Sequence, residues 1–137
     1  STVNTIDYRA IASIGNFIDF GDLTTTMVYG AAASSSTRVT FASGEAAGGT
    51  QLNSIDFIIT ASTGNASDFG DIASSAGMGK TGLSSKTIGL FGGGDGPINS
   101  IDAITIASAA NATDFGDLTV ARRFCNGGVS SAHGGLS

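Results

Sequence analysis

Tryptophan is absent from this sequence of 137 residues, and cysteine, proline and histidine each occur once. A lone cysteine, Cys125, permits no intrachain disulfide and no zinc site made of several thiolates, so the redox compartment stays open. A lone histidine, His133, leaves any Ser or Cys nucleophile short of the base and orienting partner that such catalysis needs. Charge is scarce too: 12% of residues are charged, and the net charge is −5. A nucleic-acid partner requires a basic face, which an isoelectric point near 4.4 does not supply. Anionic membrane surfaces are disfavoured on the same ground. No stretch approaches the ~18 apolar residues of a bilayer span, so membrane insertion by a helix is not expected.

What remains is a chain of small residues. Gly, Ser, Ala and Thr dominate, with 21 glycines. The chain is too apolar and too weakly charged for a disordered segment. It is too glycine-rich, and too poor in Leu, Glu, Lys and Arg, for a helical domain. Short strands joined by tight turns fit this composition, within one domain.

An internal repeat organises the whole chain. Asn4-Thr5-Ile6-Asp7-Tyr8 returns as Asn53-Ser54-Ile55-Asp56-Phe57 and as Asn99-Ser100-Ile101-Asp102-Ala103. A second signature follows each. It reads Asp19-Phe20-Gly21-Asp22, then Asp68-Phe69-Gly70-Asp71, then Asp114-Phe115-Gly116-Asp117. Both signatures step by 49 residues and then by 46. The spacing within a unit is therefore fixed. The three-residue difference is expected between Gly44 and Asn53 as against Gly93 and Asn99, a Gly-rich loop. Ser34 to Val39 aligns with Leu83 to Ile88 at the same step, and Cys125 aligns with Gly79 and Gly30. Each unit holds four strand candidates, here lettered a to d; for a and b the runs are about 76–83 and 86–92, for c and d about 53–61 and 66–72.

A period of 40–50 residues with four strands per unit points to β-propeller blades. The order of apolar strand, Gly92-Gly93, loop, Asn/Ile/Asp strand, aromatic Phe115 and then Ala121-Arg122 resembles the kelch motif. The first two units depart from it: Gly44 has no glycine partner, and Met27 and Ala76 stand where Arg122 does. The repeat wording also resembles repeat arrays in structural proteins of marine cyanobacterial phages. These resemblances imply an all-β fold of kelch-like propeller blades with four antiparallel strands each, and a virion or extracellular location.

The phase of the repeat sets the expected organisation. A c-d half-blade covers about 1–26, full blades cover about 27–75 and about 76–121, and an a-b half-blade covers about 122–137. That makes three blade equivalents, fewer than the four to eight of a closed ring. Open half-blades expose sheet edges. The expectation is therefore a homo-oligomer, with a twofold, isologous dimer giving six blades favoured over an open filament. Ser1 in place of Met points equally to a processed chain or to a piece of a longer array.

The candidate chemistry is sparse. Asp-Phe-Gly places an Asp on magnesium in protein kinases, but no catalytic loop or lysine-bearing strand accompanies it here. The expectation is structural: Phe20, Phe69 and Phe115 bury their rings between sheets, the glycines permit turns, and the aspartates accept backbone hydrogen bonds. Calcium needs six to eight oxygens, and Asp19 with Asp22 and their equivalents offer two per unit, with Asp7, Asp56 and Asp102 as a possible third. No metal and no cofactor is expected. Gly77-Met78-Gly79-Lys80-Thr81 ends like a phosphate loop but has Ser74 where the first glycine belongs. Asn65-Ala66-Ser67 and Asn111-Ala112-Thr113 fit a glycosylation sequon yet share one repeat position, which a c–d turn explains. Arg38, Lys86, Arg122 and Arg123 are candidates for one ligand-binding rim. The sequence thus favours a non-catalytic structural or interaction module, a phage fibre or surface-attachment propeller whose partners are itself, other virion proteins or a cell-surface glycan. A lectin-like glycan-binding propeller is the alternative, and an enzyme is not expected.

Overall fold

The computed structural model describes residues 3–74, 77–96, 98–125 and 127–128. The fold is all-β, with no helix among the described residues. Ten strands form three antiparallel sheets. Strands β1 (Thr5–Tyr8) and β2 (Ile18–Asp22) pair alone. A sheet of four runs in chain order through β3 (Ala31–Ser34), β4 (Arg38–Glu45), β5 (Gln51–Ile59) and β6 (Ser67–Asp71). A second sheet of four repeats that order with β7 (Thr81–Ser84), β8 (Ile88–Gly92), β9 (Ile98–Thr105) and β10 (Thr113–Arg122). Both are meanders, in which each strand pairs with its neighbours in sequence. The a-b segment expected over 122–137 lies largely outside the described residues.

Local chemistry sets the turns. Ser35 Oγ accepts the Thr37 and Arg38 N–H groups at 3.3 and 3.2 Å, closing the β3–β4 hairpin. Ser85 does the same for Thr87 and Ile88 at 3.3 and 3.0 Å between β7 and β8. A serine hydroxyl that replaces a ladder bond in this way holds the chain in a tight reversal.

These hairpins correct the sequence alignment. Ser35 corresponds to Ser85 and Ala31 to Thr81, a step of 50 and not 49. One extra residue lies before β7, because Thr24 and Ser74 play the same part while Asp22 and Asp71 are 49 apart. The β4–β5 connection is correspondingly four residues longer than β8–β9: Ala42 pairs with Ile55, whereas Gly92 pairs with Ile101. Part of that excess is taken up by a bulge between Ala42 and Gly44.

The strands at which the two four-stranded sheets meet account for part of the small-residue composition. Strand β3 packs on β7 and β8. A methyl group on Gly82 would run into the Ala32 carbonyl, and one on Gly128 would run into the Gly82 carbonyl. Backbones this close leave room for Gly and Ala and little else. The core lies between sheets. Ile55, Phe69, Phe91, Ile104 and Ile106 fill the space between the two four-stranded sheets, and Ile6, Phe20 and Ile58 fill that between the first pair and the next sheet.

Candidate interaction surface

Each Asp-Phe-Gly signature is a β-bulge. Ile6 pairs with Gly21 and Asp7 with Asp19, so Phe20 has no partner across the ladder. Phe69 and Phe115 are passed over in the same way. The aspartate holds the bulge: Asp19, Asp68 and Asp114 each accept the N–H of the glycine two residues on, at 3.0, 3.2 and 3.1 Å. A bulge bends its strand and re-aims one side chain. Here it turns the phenylalanine toward the following sheet.

The result is a joint that recurs between units. Phe20 on β2 and Phe69 on β6 are 7% and 3% exposed, each packed under the next sheet. The Ala66 N–H donates to the Asp22 carbonyl at 2.8 Å, and the Ala112 N–H donates to the Asp71 carbonyl at 2.8 Å. The Asp22 N–H donates to Asn65 Oδ1 at 3.1 Å, and the Asp71 N–H to Asn111 Oδ1 at 3.0 Å. Buried Asp56 accepts the Thr24 N–H and hydroxyl at 2.8 Å each, and buried Asp102 accepts the Ser74 N–H at 3.0 Å and the Ser74 hydroxyl. A carboxylate buried this fully is tolerated because its oxygens are bonded. The sequon residues Asn65 and Asn111 are therefore joint residues in the β5–β6 and β9–β10 turns.

Among the described residues the joint is half-made at two places, β10 and the β1–β2 hairpin. On β10, Phe115 is 62% exposed, and Asp117 and Thr119 are exposed beside it. This overturns the expectation that all three phenylalanines bury their rings. The physical reason is that no described sheet follows β10, and space is open where Gly116 would meet one. On the β1–β2 hairpin, Asp7, Asn16 and Phe17 occupy the positions of Asp56, Asn65 and Ala66, and all three are exposed. Among the described residues, no hydroxyl donates to Asp7 as Thr24 does to Asp56.

One joint carries an addition. The Lys80 ammonium is wholly buried, 2.9 Å from Ser74 Oγ, 3.0 Å from the Gly93 carbonyl and 3.6 Å from Asp102. Lys80 stands immediately before β7, as Gly30 stands before β3. Burial lowers its pKa, opposed by the charge and hydrogen bond of Asp102. The sequence sets Lys80 in a phosphate-loop-like run, but a strand, not a helix, follows it. The signal that finds it is a single cation breaking the repeat. A Ser–Lys contact can serve nucleophilic catalysis, but Thr24 and Asp56 build the same contact with no lysine. That makes Ser74–Asp102 the joint and Lys80 its counter-charge.

The candidate cations divide between two ends of the sheets. Arg38 starts β4 and Lys86 lies in the β7–β8 turn. Arg122 and Arg123 lie at the far end of β10, where Gly94 bridges to Arg123. They do not form one rim. Arg38 is engaged, its guanidinium 4.6 Å from the Phe57 ring centroid and donating to the Ile106 carbonyl at 3.2 Å. Arg123 sits 2.7 Å from Asp95 and holds that carboxyl below the usual carboxylate range. Lys86 and Arg122 are exposed. Cys125 is half-buried, and its N–H donates to the Gly79 carbonyl at 3.0 Å, as the Gly79 N–H donates to Tyr29 at 3.1 Å. No cluster of three His, Cys, Asp or Glu side chains occurs among the described residues.

A shallow pocket recurs at the joints. One of about 150 Å³ lies beneath the β5–β6 turn, lined by Phe57, Ser62, Asn65 and Ser67. One of about 300 Å³ lies beneath the β9–β10 turn, lined by Ala103, Ser108, Asn111 and Thr113. No protein-family model and no curated protein matches the chain.

Proposed function

We propose that this chain is a non-catalytic structural and interaction module, one share of a kelch-like β-propeller that completes its ring by self-association. The observation that carries the reading is the joint itself: it occurs twice, and its groups recur exposed on β10 and on the β1–β2 hairpin among the described residues. Six blades from two chains fit the three blade equivalents per chain and cover the faces that one chain leaves exposed. The resemblance of the repeat to phage structural arrays supports a virion fibre or surface-attachment part, or another extracellular setting. There a rigid ring gains avidity from loops repeated around it. The test is electron microscopy of the purified chain. Six-lobed rings support the reading; isolated particles the size of one chain overturn it.

A second reading is a lectin-like propeller, favoured by the pocket that recurs in two units with hydroxyl and amide groups set among apolar side chains. Its departure from an aromatic sugar platform is Ala103, which stands where Phe57 does. A glycan array probed with the assembled protein separates the two: selective binding lost on Ser108→Ala supports the lectin, and uniform silence supports the structural role.

A further inference from the structure

We propose that a second copy of this chain occupies the open face of β10, seating its own β1–β2 hairpin there head to tail through the joint that β2 and β6 already make inside the chain. The inference rests on the ring reading above and goes beyond it, by assigning the contact residue by residue.

The tail face presents the Phe115 ring, the Asp117 backbone and the Thr119 hydroxyl. Inside the chain these positions are filled by Phe20, Asp22 and Thr24, and by Phe69, Asp71 and Ser74. The head face presents Asp7, Asn16 and Phe17, where the internal joints use Asp56, Asn65 and Ala66, and Asp102, Asn111 and Ala112. Every polar group therefore has its complement. The Asn16 amide oxygen accepts the Asp117 N–H, the Phe17 N–H donates to the Asp117 carbonyl, and Asp7 accepts from Thr119.

Two positions of the hairpin differ from their internal counterparts, and the internal joints also draw on Val39 and Phe41 of β4 or Phe91 of β8. Arg9 replaces Ile58 and Ile104, and Phe17 replaces Ala66 and Ala112. Apolar bulk is thus moved from strand to turn, where Phe17 is 69% exposed in the single chain. The strand position gains a guanidinium, which in the single chain donates to the Ile14 carbonyl of its own hairpin and on release suits a tail that carries the Phe115 ring between Asp114 and Asp117. Tail against tail would instead bring four carboxylates together. The charge pattern therefore selects a head-to-tail contact, which a twofold pair makes twice.

The test is sedimentation velocity on the full chain, with two variants that block opposite faces. Phe115→Asp blocks the tail, and the double variant Asn16→Asp with Phe17→Asp blocks the head. Phe115, Asn16 and Phe17 are all exposed in the single chain, and circular dichroism checks that each variant folds. The expected result is association of the native chain, monomers for each variant alone, and a one-to-one dimer when the two are mixed. The proposal is overturned by a monomeric native chain, by a mixture that stays monomeric, or by a head variant that associates as the native chain does. Micrographs of the same samples separate this contact from the ring reading. Filaments with the mixing behaviour intact remove the six-bladed ring and keep the contact. Rings that persist in both variants remove the contact and keep the ring.

Discussion

The three phenylalanines of the repeat share sequence context, bulge and aspartate bond, and differ only in what covers them. Their contributions to stability should differ accordingly. Phe69→Ala removes a ring that is 3% exposed and is expected to cost about 3–5 kcal/mol. Phe115→Ala, at concentrations where the chain is monomeric, is expected to stay within about 0.5 kcal/mol of the native chain. Urea unfolding of the two variants measures both; equal costs would contradict the account. Lys80 gives a pH signature. Its folded pKa lies below the ordinary lysine value of about 10.4, so over that interval the unfolded chain binds more protons than the folded one. Stability should therefore rise with pH through the folded pKa toward the unfolded one. Chemical denaturation between neutral and alkaline pH should show this rise in the native chain and lose it in Lys80→Met. A parallel pair of curves would contradict the assignment. The sequence makes the structural part of Asp19, Asp68 and Asp114 legible, because a short acceptor two residues before a glycine is local chemistry. The exposure of Phe115 is not legible, since it depends on a neighbour and not on the residue. The burial of Lys80 is not legible either, because its partners Ser74, Gly93 and Asp102 are brought to it only by the fold.

At the scale of elements, four strands per unit and their antiparallel order follow from the period and the turn residues, and Ser35 and Ser85 show why the hairpins close where they do. The bulges escape a reading by strand alternation, because a passed-over residue looks like an ordinary strand position until the register is known. The one-residue step before β7 escapes too, since small residues there align equally well at 49 or 50. The bulge geometry carries its own test. Gly70 has φ +142°, and a methyl group there would sit 2.6 Å from the Ala110 carbonyl. Gly116 has nearly the same backbone, at φ +141°, with open space beside it. Gly116→Ala is expected to cost only the backbone strain, about 1–3 kcal/mol. Gly70→Ala should exceed it by a further ~1–3 kcal/mol from the clash. Thermal unfolding of both variants measures the difference, and equal losses would show that the close approach at Gly70 is relaxed at no cost.

At the scale of the molecule, the chain is a run of like joints with two unlike ends. Repeat architectures are stabilised by contacts between neighbouring units, and here each internal contact pairs a bulged strand with the turn of the next sheet. Among the described residues β10 and the β1–β2 hairpin carry the same groups exposed, so the forces that order β2 on the β3–β6 sheet and β6 on the β7–β10 sheet also favour a further unit beyond β10. The measurement that tests this most directly is the native mass of the chain in dilute solution. The account predicts about 27 kDa, twice the 13.5 kDa of one chain, falling to the single-chain mass on dilution. A mass of 13.5 kDa at every concentration, with the fold intact, would contradict it.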